Sequence, residues 1–255
     1  MSPSDPIAQL ADRIRAASRI TVITGAGVSA ASGVPTFRGR EGLWKNFAPE
    51  ELATPEAFRR DPKLVWEWYN WRRETIARCM PNAAHEVLSS WSRRYAAFTL
   101  ITQNVDGLHE KAGTRNVIRF HGSIWEVMCW QRCPASPERW RDDRVPIIGL
   151  PPACPHCGGL IRPGVVWFGE GIDPEVLEHS LEAARCDVFF TVGTSAVVYP
   201  AAGLVHQARS FGAFTVEINP QATPSSNAVD LAIPGRAEEV LPAVDSACQA
   251  AGYAN

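Results

Sequence analysis

The chain lacks any apolar stretch long enough to cross a bilayer, since a spanning helix needs about 20 consecutive apolar residues. It also lacks an excess of basic residues, because 25 lysines and arginines are balanced by 27 aspartates and glutamates among 255 residues. Proteins that bind nucleic acids usually carry a basic field. We therefore expect neither a membrane nor a nucleic acid among the partners of this protein.

The N-terminal residues also lack a targeting pattern. They show neither the charged segment and apolar run of a secretory signal nor the arginine- and serine-rich composition of a transit peptide. The 7 cysteines are an odd number, and four of them form two close pairs, which favours metal ligation in a reducing compartment over disulfides. These features predict a cytoplasmic protein. The sequence leaves the oligomeric state open, and a monomer is compatible with it.

Short apolar strands alternate with helical patterns along much of the chain. Helices are predicted at 174–184 and 200–211, and strands at 19–24, 97–102, 116–120, 187–192 and 213–218. Strands that are apolar throughout and separated by helices are typical of parallel sheets covered on both faces. The sequence therefore predicts an α/β protein with a doubly wound, Rossmann-like parallel sheet.

Two segments interrupt this alternation and predict a smaller second domain. Residues 39–81 are rich in tryptophan, show a helical pattern and contain no strand, whereas residues 123–162 hold the paired cysteines and several prolines. We expect the helical insert 39–81 and the zinc module 123–162 to form the small domain together. Residues 1–38, 82–122 and 163–255 would then form the Rossmann-like domain.

A glycine-rich turn follows the first predicted strand. The run Gly25-Ala-Gly27-Val-Ser-Ala30 matches a dinucleotide-binding turn, in which the second glycine lets backbone N–H groups approach the pyrophosphate. Turns without a ligand can show the same short pattern. A dehydrogenase would place an acidic residue at a strand end about 20 positions later, but here a loop with Gly33, Pro35 and Arg38 follows. This difference disfavours hydride transfer.

Polar residues follow two later strands. Gln103, Asn104 and Asp106 come after the second strand, and His121 comes after the third, at the edge where open α/β sheets bind their ligands. Asn and Asp are also common in simple turns, and a lone histidine is more often structural than catalytic. Because an imidazole titrates near neutral pH, His121 is a candidate general base. We expect the other five histidines to be structural.

Two cysteine pairs predict a metal site. Cys129 and Cys133 are separated by three residues, Cys154 and Cys157 by two, and 20 residues lie between the pairs. Four thiolates suit tetrahedral Zn²⁺ and leave no open coordination position, so the site would be structural. His156 is the only candidate substitute ligand, and two disulfides are the alternative. Cys79, Cys186 and Cys248 stand alone and are predicted to be packing residues.

A helix is predicted from Asp61 onward, because an Asp cap is followed by a proline in the first turn. Tyr69 and Arg72 lie three residues apart and share one face of this helix. A phenol beside a guanidinium could clamp a carboxylate, since Arg donates two parallel hydrogen bonds. On spacing alone, the favoured alternative is that Tyr69 packs in the core and Arg72 forms an ion pair at the surface.

Five short motifs occur in order along the chain: Gly25–Ser29, Gly33–Arg38, Thr102–His109, Phe120–Gly122 and Gly193–Ser195. Together they resemble the signature blocks of the sirtuins, and the resemblance extends from about Ala16 to about Leu241. It implies an NAD-dependent lysine deacylase, with NAD⁺ as co-substrate, acyl-lysine proteins as substrates and a structural zinc ion. The three residues between Cys129 and Cys133 are a departure, since most sirtuins have two.

The resemblance also implies roles for individual residues. His121 would help to deprotonate a ribose hydroxyl after the acyl oxygen has attacked the nicotinamide ribose, and Asn104 and Asp106 would complete the catalytic set. The products would be nicotinamide, free lysine and an O-acyl-ADP-ribose. The implied NAD-binding residues are Gly25, Ala26, Gly27, Ser29, Pro35, Thr36, Phe37, Arg38, Gln103, Asn104, Asp106, Gly193, Thr194, Ser195, Asn219 and Ala237.

The substrate site is implied by two further segments. Val165–Glu170 looks like an apolar strand, and in sirtuins the matching segment pairs by its backbone with the substrate peptide. Tyr69 and Arg72, together with Ala53, resemble the class III branch, which removes succinyl and malonyl groups; acetyl groups would react more slowly. The implied substrate-binding residues are Ala53, Tyr69, Arg72, Val166, Trp167, Phe168, Gly169 and Glu170.

Other functions remain open at this point. A plain deacetylase, in which Tyr69 and Arg72 are structural, is the main alternative. An ADP-ribosyltransferase would cleave NAD⁺ in the same way but would leave ADP-ribose on protein. A non-catalytic NAD⁺-sensing module is disfavoured by the complete set of Asn104, Asp106 and His121. The preference among succinyl, malonyl and glutaryl groups is not determined by the sequence.

Overall fold

The structure is a computed structural model that describes residues 5–36 and 47–250. The strands are β1 (Arg19–Thr24), β2 (Ala97–Thr102), β3 (Val117–Arg119), β4 (Gly122–Cys129), β5 (Trp140–Arg141), β6 (Ile161–Val165), β7 (Val188–Val192), β8 (Phe214–Asn219) and β9 (Leu231–Pro234). The helices are α1 (Pro6–Ala16), α2 (Gly27–Ala30), α3 (Pro49–Leu52), α4 (Pro55–Arg60), α5 (Pro62–Ala77), α6 (Ala83–Arg94), α7 (Leu108–Lys111), α8 (Pro174–Ala183), α9 (Leu204–Ser210) and α10 (Ala237–Ala250), with a 3₁₀ turn at Ala201–Gly203. Among the helices of the described residues, none combines the length and apolar character that a bilayer span requires.

Six strands form the parallel sheet of the larger domain, in the order β3-β2-β1-β7-β8-β9. The central strands are buried along almost their whole length, from Ile20 in β1 and throughout β7, which explains their continuous apolar sequences. The chain order reverses between β1 and β7, and open parallel sheets bind ligands beyond the carboxyl ends of the strands at such a reversal. The predicted doubly wound, Rossmann-like fold is confirmed.

The sequence does not predict β9 as a strand. Its four residues lie at the edge of the sheet beside β8, and only Ile233 among them is buried. A strand that is partly exposed and this short has neither a continuous apolar run nor a full alternating pattern. Its place in the sheet is therefore a result of tertiary pairing with β8.

Helices cover both faces of this sheet. Leu10 of α1, Trp91 of α6 and Leu241 of α10 are fully buried on one face, while Leu204 of α9 and the segment around α8 cover the other. Each buried leucine contributes about 1.5–3 kcal/mol to folding. These two layers hold the carboxyl edge of the sheet in place beneath the site described below.

The smaller domain combines the helices α3 to α5 with an antiparallel sheet of order β5-β4-β6. Trp66 and Trp68 of α5 are buried against this sheet, and the indole N–H of Trp66 donates to the carbonyl oxygen of Ile161 over 2.9 Å. Arg73 is completely buried and donates to the carbonyl oxygen of Ile124 over 2.9 Å. The helical insert and the cysteine-bearing segment therefore share one core. The domain boundaries given above stay a prediction.

The helix α5 begins as the sequence predicts. The Asp61 carboxylate accepts a hydrogen bond from the N–H of Leu64 over 2.9 Å, and Pro62 occupies the first turn. The strand predicted from Val165 onward is wrong beyond its first residue, since β6 ends at Val165. The following segment leaves the sheet because the N–H of Phe168 donates to the carbonyl oxygen of Ala53 over 2.9 Å.

Candidate functional site

A cleft of about 810 Å³ opens at the carboxyl edge of the parallel sheet and extends to the small domain. Its volume is in the range of pockets that bind small-molecule ligands. The predicted site residues that line it are Gly25, Ala26, Gly27, Thr36, Ala53, Arg72, Gln103, Asn104, His121, Val166, Trp167, Phe168, Gly169, Glu170, Gly193, Thr194, Ser195, Asn219 and Ala237. Segments far apart in the sequence therefore meet in one cleft, as the motifs predict.

Four of the predicted NAD- and substrate-binding residues are described but lie outside the lining of the cleft. Ser29, Asp106 and Tyr69 are buried behind its wall, and Pro35 is half-buried beside it. Two more, Phe37 and Arg38, lie outside the described residues. The roles implied for these six residues stay predictions.

The glycine-rich turn after β1 packs directly against the loop after β7. A Cβ atom added to Gly27 would lie 2.7 Å from the carbonyl oxygen of Gly193, and one added to Gly25 would lie 2.7 Å from the Cβ atom of Thr194. Both distances are shorter than any van der Waals contact. Gly193 itself has a φ of +59°, which favours glycine. The glycines are required by the contact between two loops, a constraint additional to the predicted approach of a pyrophosphate.

Two amide side chains fix the carboxyl end of β2 against these loops. The Nδ2 atom of Asn104 donates to the carbonyl oxygen of Gly25 over 3.0 Å and lies 3.2 Å from the Ser29 hydroxyl. The Nε2 atom of Gln103 donates to the hydroxyl of Thr194 over 3.0 Å. Since both hydrogens of the Asn104 amide are used within the protein, its remaining polar atom is an acceptor.

Asp106 lies behind this wall in a buried network. Its carboxylate accepts hydrogen bonds from the Ser29 hydroxyl over 2.7 Å and from the N–H of Leu108 over 2.9 Å. Burial raises the pKa of Asp106, although these two hydrogen bonds oppose the shift. The carboxylate thus acts on the cleft through Ser29, which also contacts Asn104.

Two histidines that the sequence marks as structural belong to the same network. The Nε2 atom of His85 lies 3.4 Å from the Ser29 hydroxyl, and that of His109 lies 3.0 Å from the hydroxyl of Thr24. Burial lowers the pKa of His85 to about 4 and that of His109 well below its ordinary value. Both rings are therefore neutral at physiological pH. No local pattern indicates that His85 reaches Ser29, because the two residues meet only in the folded chain.

His121 stands at the end of β3 with its ring in the wall of the cleft. Its Nδ1 atom lies 3.2 Å from the carbonyl oxygen of Gln103. A carbonyl oxygen can only accept, so Nδ1 carries the proton and Nε2 of the neutral ring carries the lone pair. Burial lowers the pKa of His121, with the hydrogen bond to Gln103 opposing. The geometry suits a general base, as the sequence predicts.

Arg72 and Ala53 lie where the cleft enters the small domain. The Arg72 guanidinium lies 5.0 Å from the ring centre of Trp68 and 5.7 Å from that of Tyr69. Burial lowers its pKa, while Tyr69 and Asp106 oppose the shift. An arginine keeps its charge in such surroundings, so this part of the cleft holds a half-buried positive charge next to two aromatic rings.

Tyr69 does not face the cleft beside Arg72. It is 1% exposed, and its hydroxyl accepts a hydrogen bond from the indole N–H of Trp167 over 2.9 Å. Burial raises the pKa of Tyr69. The sequence places Tyr69 and Arg72 on one face correctly, but the structure brings only the arginine to the lining of the cleft.

The four paired cysteines come together in the small domain. All four sulfur atoms lie within 4.8 Å of one another, with 3.7 Å between Cys129 and Cys157 and 4.0 Å between Cys133 and Cys154. Sulfur atoms around a tetrahedral zinc ion are separated by about 3.8 Å. Their geometry and chemistry therefore fit a structural Zn²⁺ ion held by Cys129, Cys133, Cys154 and Cys157.

The additional residue between the first two cysteines is accommodated by the backbone. Arg132 has a φ of +50°, and its N–H donates to the carbonyl oxygen of Cys129 over 3.1 Å, which closes a tight turn. His156 is exposed, and its ring packs edge-on against Trp140 with 6.0 Å between the ring centres. Among the described residues it is not a member of the cysteine cluster.

Several lining residues were not predicted from the sequence. Val197 and Tyr199 are exposed at the rim, and Gln221, Arg236 and Glu238 lie in the part of the cleft that Asn219 and Ala237 also line. The last two flank Ala237 in the sequence, so their position next to a predicted residue could have indicated them. The rim residues carry no such signal, since exposed apolar side chains are common on protein surfaces.

Comparisons with known proteins agree with this geometry. A family model described as the Sir2 family matches residues 25–200. An NAD-dependent protein deacylase of Aquifex aeolicus (strain VF5) is 52% identical over 213 residues, which cover 83% of this chain and 87% of that protein.

Solved structures give the same result. The sequence of a Sir2 homologue solved in complex with NAD is 43% identical to this chain. The two structures superpose with a TM-score of 0.89 over 98% of this chain and 96% of the homologue. A substituted Sir2 homologue in complex with 2′-O-acetyl-ADP-ribose is also 43% identical, with a TM-score of 0.89 over 97% of this chain and 99% of the other. The similarity therefore covers both domains.

Proposed function

This chain belongs to the Sir2 family, and from that premise we propose that it is an NAD-dependent protein-lysine deacylase that prefers succinyl and malonyl groups to acetyl groups. Its substrates are acyl-lysine proteins, and its products are nicotinamide, deacylated lysine and an O-acyl-ADP-ribose. One observation carries the preference for acidic acyl groups. Arg72 lines the same cleft as His121 and Ala53, so a cation lies within the cavity that holds the predicted base.

NAD fits the cleft because its volume of about 810 Å³ suits a small-molecule ligand and the glycine-rich turn after β1, which lines it, is of the type that approaches a pyrophosphate. As co-substrate, NAD⁺ supplies a ribose carbon with nicotinamide as its leaving group. The lining residues that would bind NAD⁺ are Gly25, Ala26, Gly27, Gln103, Asn104, Gly193, Thr194, Ser195, Asn219 and Ala237. Asn104 and Gln103 keep the turns around the cleft in fixed positions.

His121 accepts the proton of a ribose hydroxyl through Nε2. Its Nδ1–H group is held by the carbonyl oxygen of Gln103, so the ring does not have to change tautomer before it acts. Burial keeps the imidazole neutral by lowering its pKa. General bases of this kind typically contribute about 10²- to 10⁴-fold to a rate.

Arg72 donates hydrogen bonds to the carboxylate of a succinyl or malonyl group. A charge-assisted hydrogen bond is stronger where water is excluded, and the adjacent rings of Trp68 and Tyr69 pack near the guanidinium. Ala53 has a small side chain at the entrance of this part of the cleft. An acetyl group would reach the same position but has no carboxylate to accept these hydrogen bonds.

A plain deacetylase is the second candidate, and one observation favours it. The hydroxyl of Tyr69 is enclosed by its contact with Trp167, so the predicted clamp rests on Arg72 alone. If Arg72 does not contact the acyl group, acetyl- and succinyl-lysine would react at similar rates.

The proposal is tested by mass spectrometry of the products formed from NAD⁺ and a panel of peptides that carry succinyl-, malonyl-, glutaryl- or acetyl-lysine. We expect nicotinamide, free lysine and the matching O-acyl-ADP-ribose, with succinyl- or malonyl-lysine consumed fastest. The variant His121→Ala is the control and should form almost no deacylated peptide. Intact NAD⁺ with every peptide would disprove a deacylase, and equal rates on all peptides would support the plain deacetylase.

A further inference from the structure

Arg162, a residue of β6 that the sequence does not single out, is buried beneath the segment Val165–Glu170 and is 5% exposed. Its Nη1 atom donates to one carboxylate oxygen of Glu170 over 2.5 Å, and its Nη2 atom donates to the other over 2.9 Å. The same Nη2 atom donates to the carbonyl oxygen of Val165 over 2.9 Å. One guanidinium therefore holds both ends of this segment.

The middle of the segment is held by the same pair. The N–H of Trp167 donates to the Glu170 carboxylate over 2.8 Å, and the Arg162 guanidinium lies 3.4 Å from the ring centre of Trp167. Burial disfavours the charged form of Glu170, but the hydrogen bonds from Arg162 and Trp167 outweigh it and hold the pKa of this carboxyl below its usual range. Glu170 is thus ionised, and each of its carboxylate oxygens accepts a hydrogen bond from the protein.

The segment is also part of the cleft. Val166 and Phe168 line it, the N–H of Val166 donates to the carbonyl oxygen of His121 over 2.9 Å, and the N–H of Phe168 donates to that of Ala53. A displacement of Val165–Glu170 would therefore move main-chain groups next to the base and next to the acyl entrance together.

We propose that Arg162 is a positioning residue for the acyl-lysine substrate, because its paired hydrogen bonds to Glu170 set the course of the main chain from Val165 to Glu170. Glu170, which also lines the cleft, then acts on the substrate through this segment. The inference rests on the proposed function, since an acyl-lysine peptide is the ligand that pairs with the segment. It predicts an effect on peptide binding that is independent of the acyl group.

Lysine cannot replace this arginine without loss. An ammonium group lacks the planar pair of donors that matches a carboxylate and stacks poorly on an indole ring. In Arg162→Lys we expect the KM for the acyl peptide to rise about tenfold, with kcat and the KM for NAD⁺ changed less than about twofold. Succinyl and acetyl peptides should be affected alike. Glu170→Gln keeps the shape but removes the charge, and should raise the peptide KM in the same direction.

The control is Arg73→Lys, which alters another buried arginine of the small domain, one that donates to Ile124 and pairs with Asp142 outside the cleft. It should lower the melting temperature without a selective change in peptide KM. Melting temperature and zinc content are measured for every variant, and Glu170→Gln decides the question if Arg162→Lys does not fold.

An unchanged peptide KM in the folded variants overturns the inference, and so does an equal rise of the KM for peptide and for NAD⁺. A wild-type protein that leaves NAD⁺ intact with all acyl peptides refutes the proposed function itself. A wild-type protein that is active, beside variants with unaltered peptide KM, refutes only the role of Arg162.

Discussion

The main-chain N–H of Gly27 donates to the carbonyl oxygen of Gly193 over 2.8 Å, joining the loop after β1 to the loop after β7. The N–H group at the second glycine of the motif is therefore used within the protein. The glycine pattern therefore meets two requirements. The loop after β1 must approach the predicted dinucleotide, and it must also pack against the loop after β7 with no side chain between them.

Substitution of Gly27 by alanine should separate the two loops. The new Cβ atom would lie 2.7 Å from the carbonyl oxygen of Gly193, so one loop must shift, at a cost of about 1–3 kcal/mol for overpacking. A shift of about 1 Å near a reacting group can cost up to roughly 10²-fold in rate. We expect a higher KM for NAD⁺ and a lower melting temperature. Gly203→Ala is the control, since its Cβ would meet only ordinary contacts at 3.8 Å; similar effects in both variants would contradict the prediction.

The acidic limb of the pH–rate profile should report His121. The base acts when neutral, and burial lowers its pKa, so activity should persist at pH values where an exposed histidine is already charged. We expect the limb of kcat/KM to have its midpoint below about 6.5, the ordinary value for histidine. Rates are measured with a saturating second substrate between pH 4.5 and 8. A midpoint at or above 6.5 would argue against the buried, neutral imidazole.

Removal of the Arg72 cation from the cleft should change specificity more than activity. In Arg72→Met the acyl carboxylate would lose a hydrogen bond to a charged group, worth about 1.5–3 kcal/mol, which corresponds to roughly 10- to 100-fold in kcat/KM for succinyl-lysine. Turnover of acetyl-lysine should change little. The exposed residue Arg78, just beyond α5, provides the control Arg78→Met. An equal loss of kcat/KM for succinyl-lysine and for acetyl-lysine would show that Arg72 does not contact the acyl carboxylate.

Loss of a single thiolate should weaken zinc binding and the small domain with it. In Cys157→Ser we expect less than one zinc ion per chain and a lower melting temperature, because structural zinc stabilises the folded state directly. Cys248→Ala is the comparison, since Cys248 is buried in the core of the large domain and should leave the zinc content unchanged. Metal content is measured by atomic absorption. Full zinc content in Cys157→Ser would mean that another residue replaces this ligand.

Much of the fold and of the site could be predicted from the sequence. The central strands could be identified because burial on both faces makes them continuously apolar, and β9 could not, since only Ile233 in it is buried. Asn104 and His121 could be placed because the carboxyl ends of parallel strands meet at one edge of the sheet. The network of Ser29, Asp106 and His85 could not, since it joins three separate segments.

The sequence by itself determined the class of fold, the position of the glycine-rich turn, the two cysteine pairs and the place of His121 after a strand, because each of these depends on local spacing and strand periodicity. Only the tertiary structure decided which side chains face the cleft. The sequence places Tyr69 and Arg72 on one helical face, but the indole N–H of Trp167, 98 residues away, donates a hydrogen bond to the Tyr69 hydroxyl and keeps it buried. The pairing of Arg162 with Glu170 likewise could not be predicted from the sequence, because it forms only when the segment Val165–Glu170 is folded. Such hydrogen bonds depend on three-dimensional packing and produce no periodic pattern in the sequence.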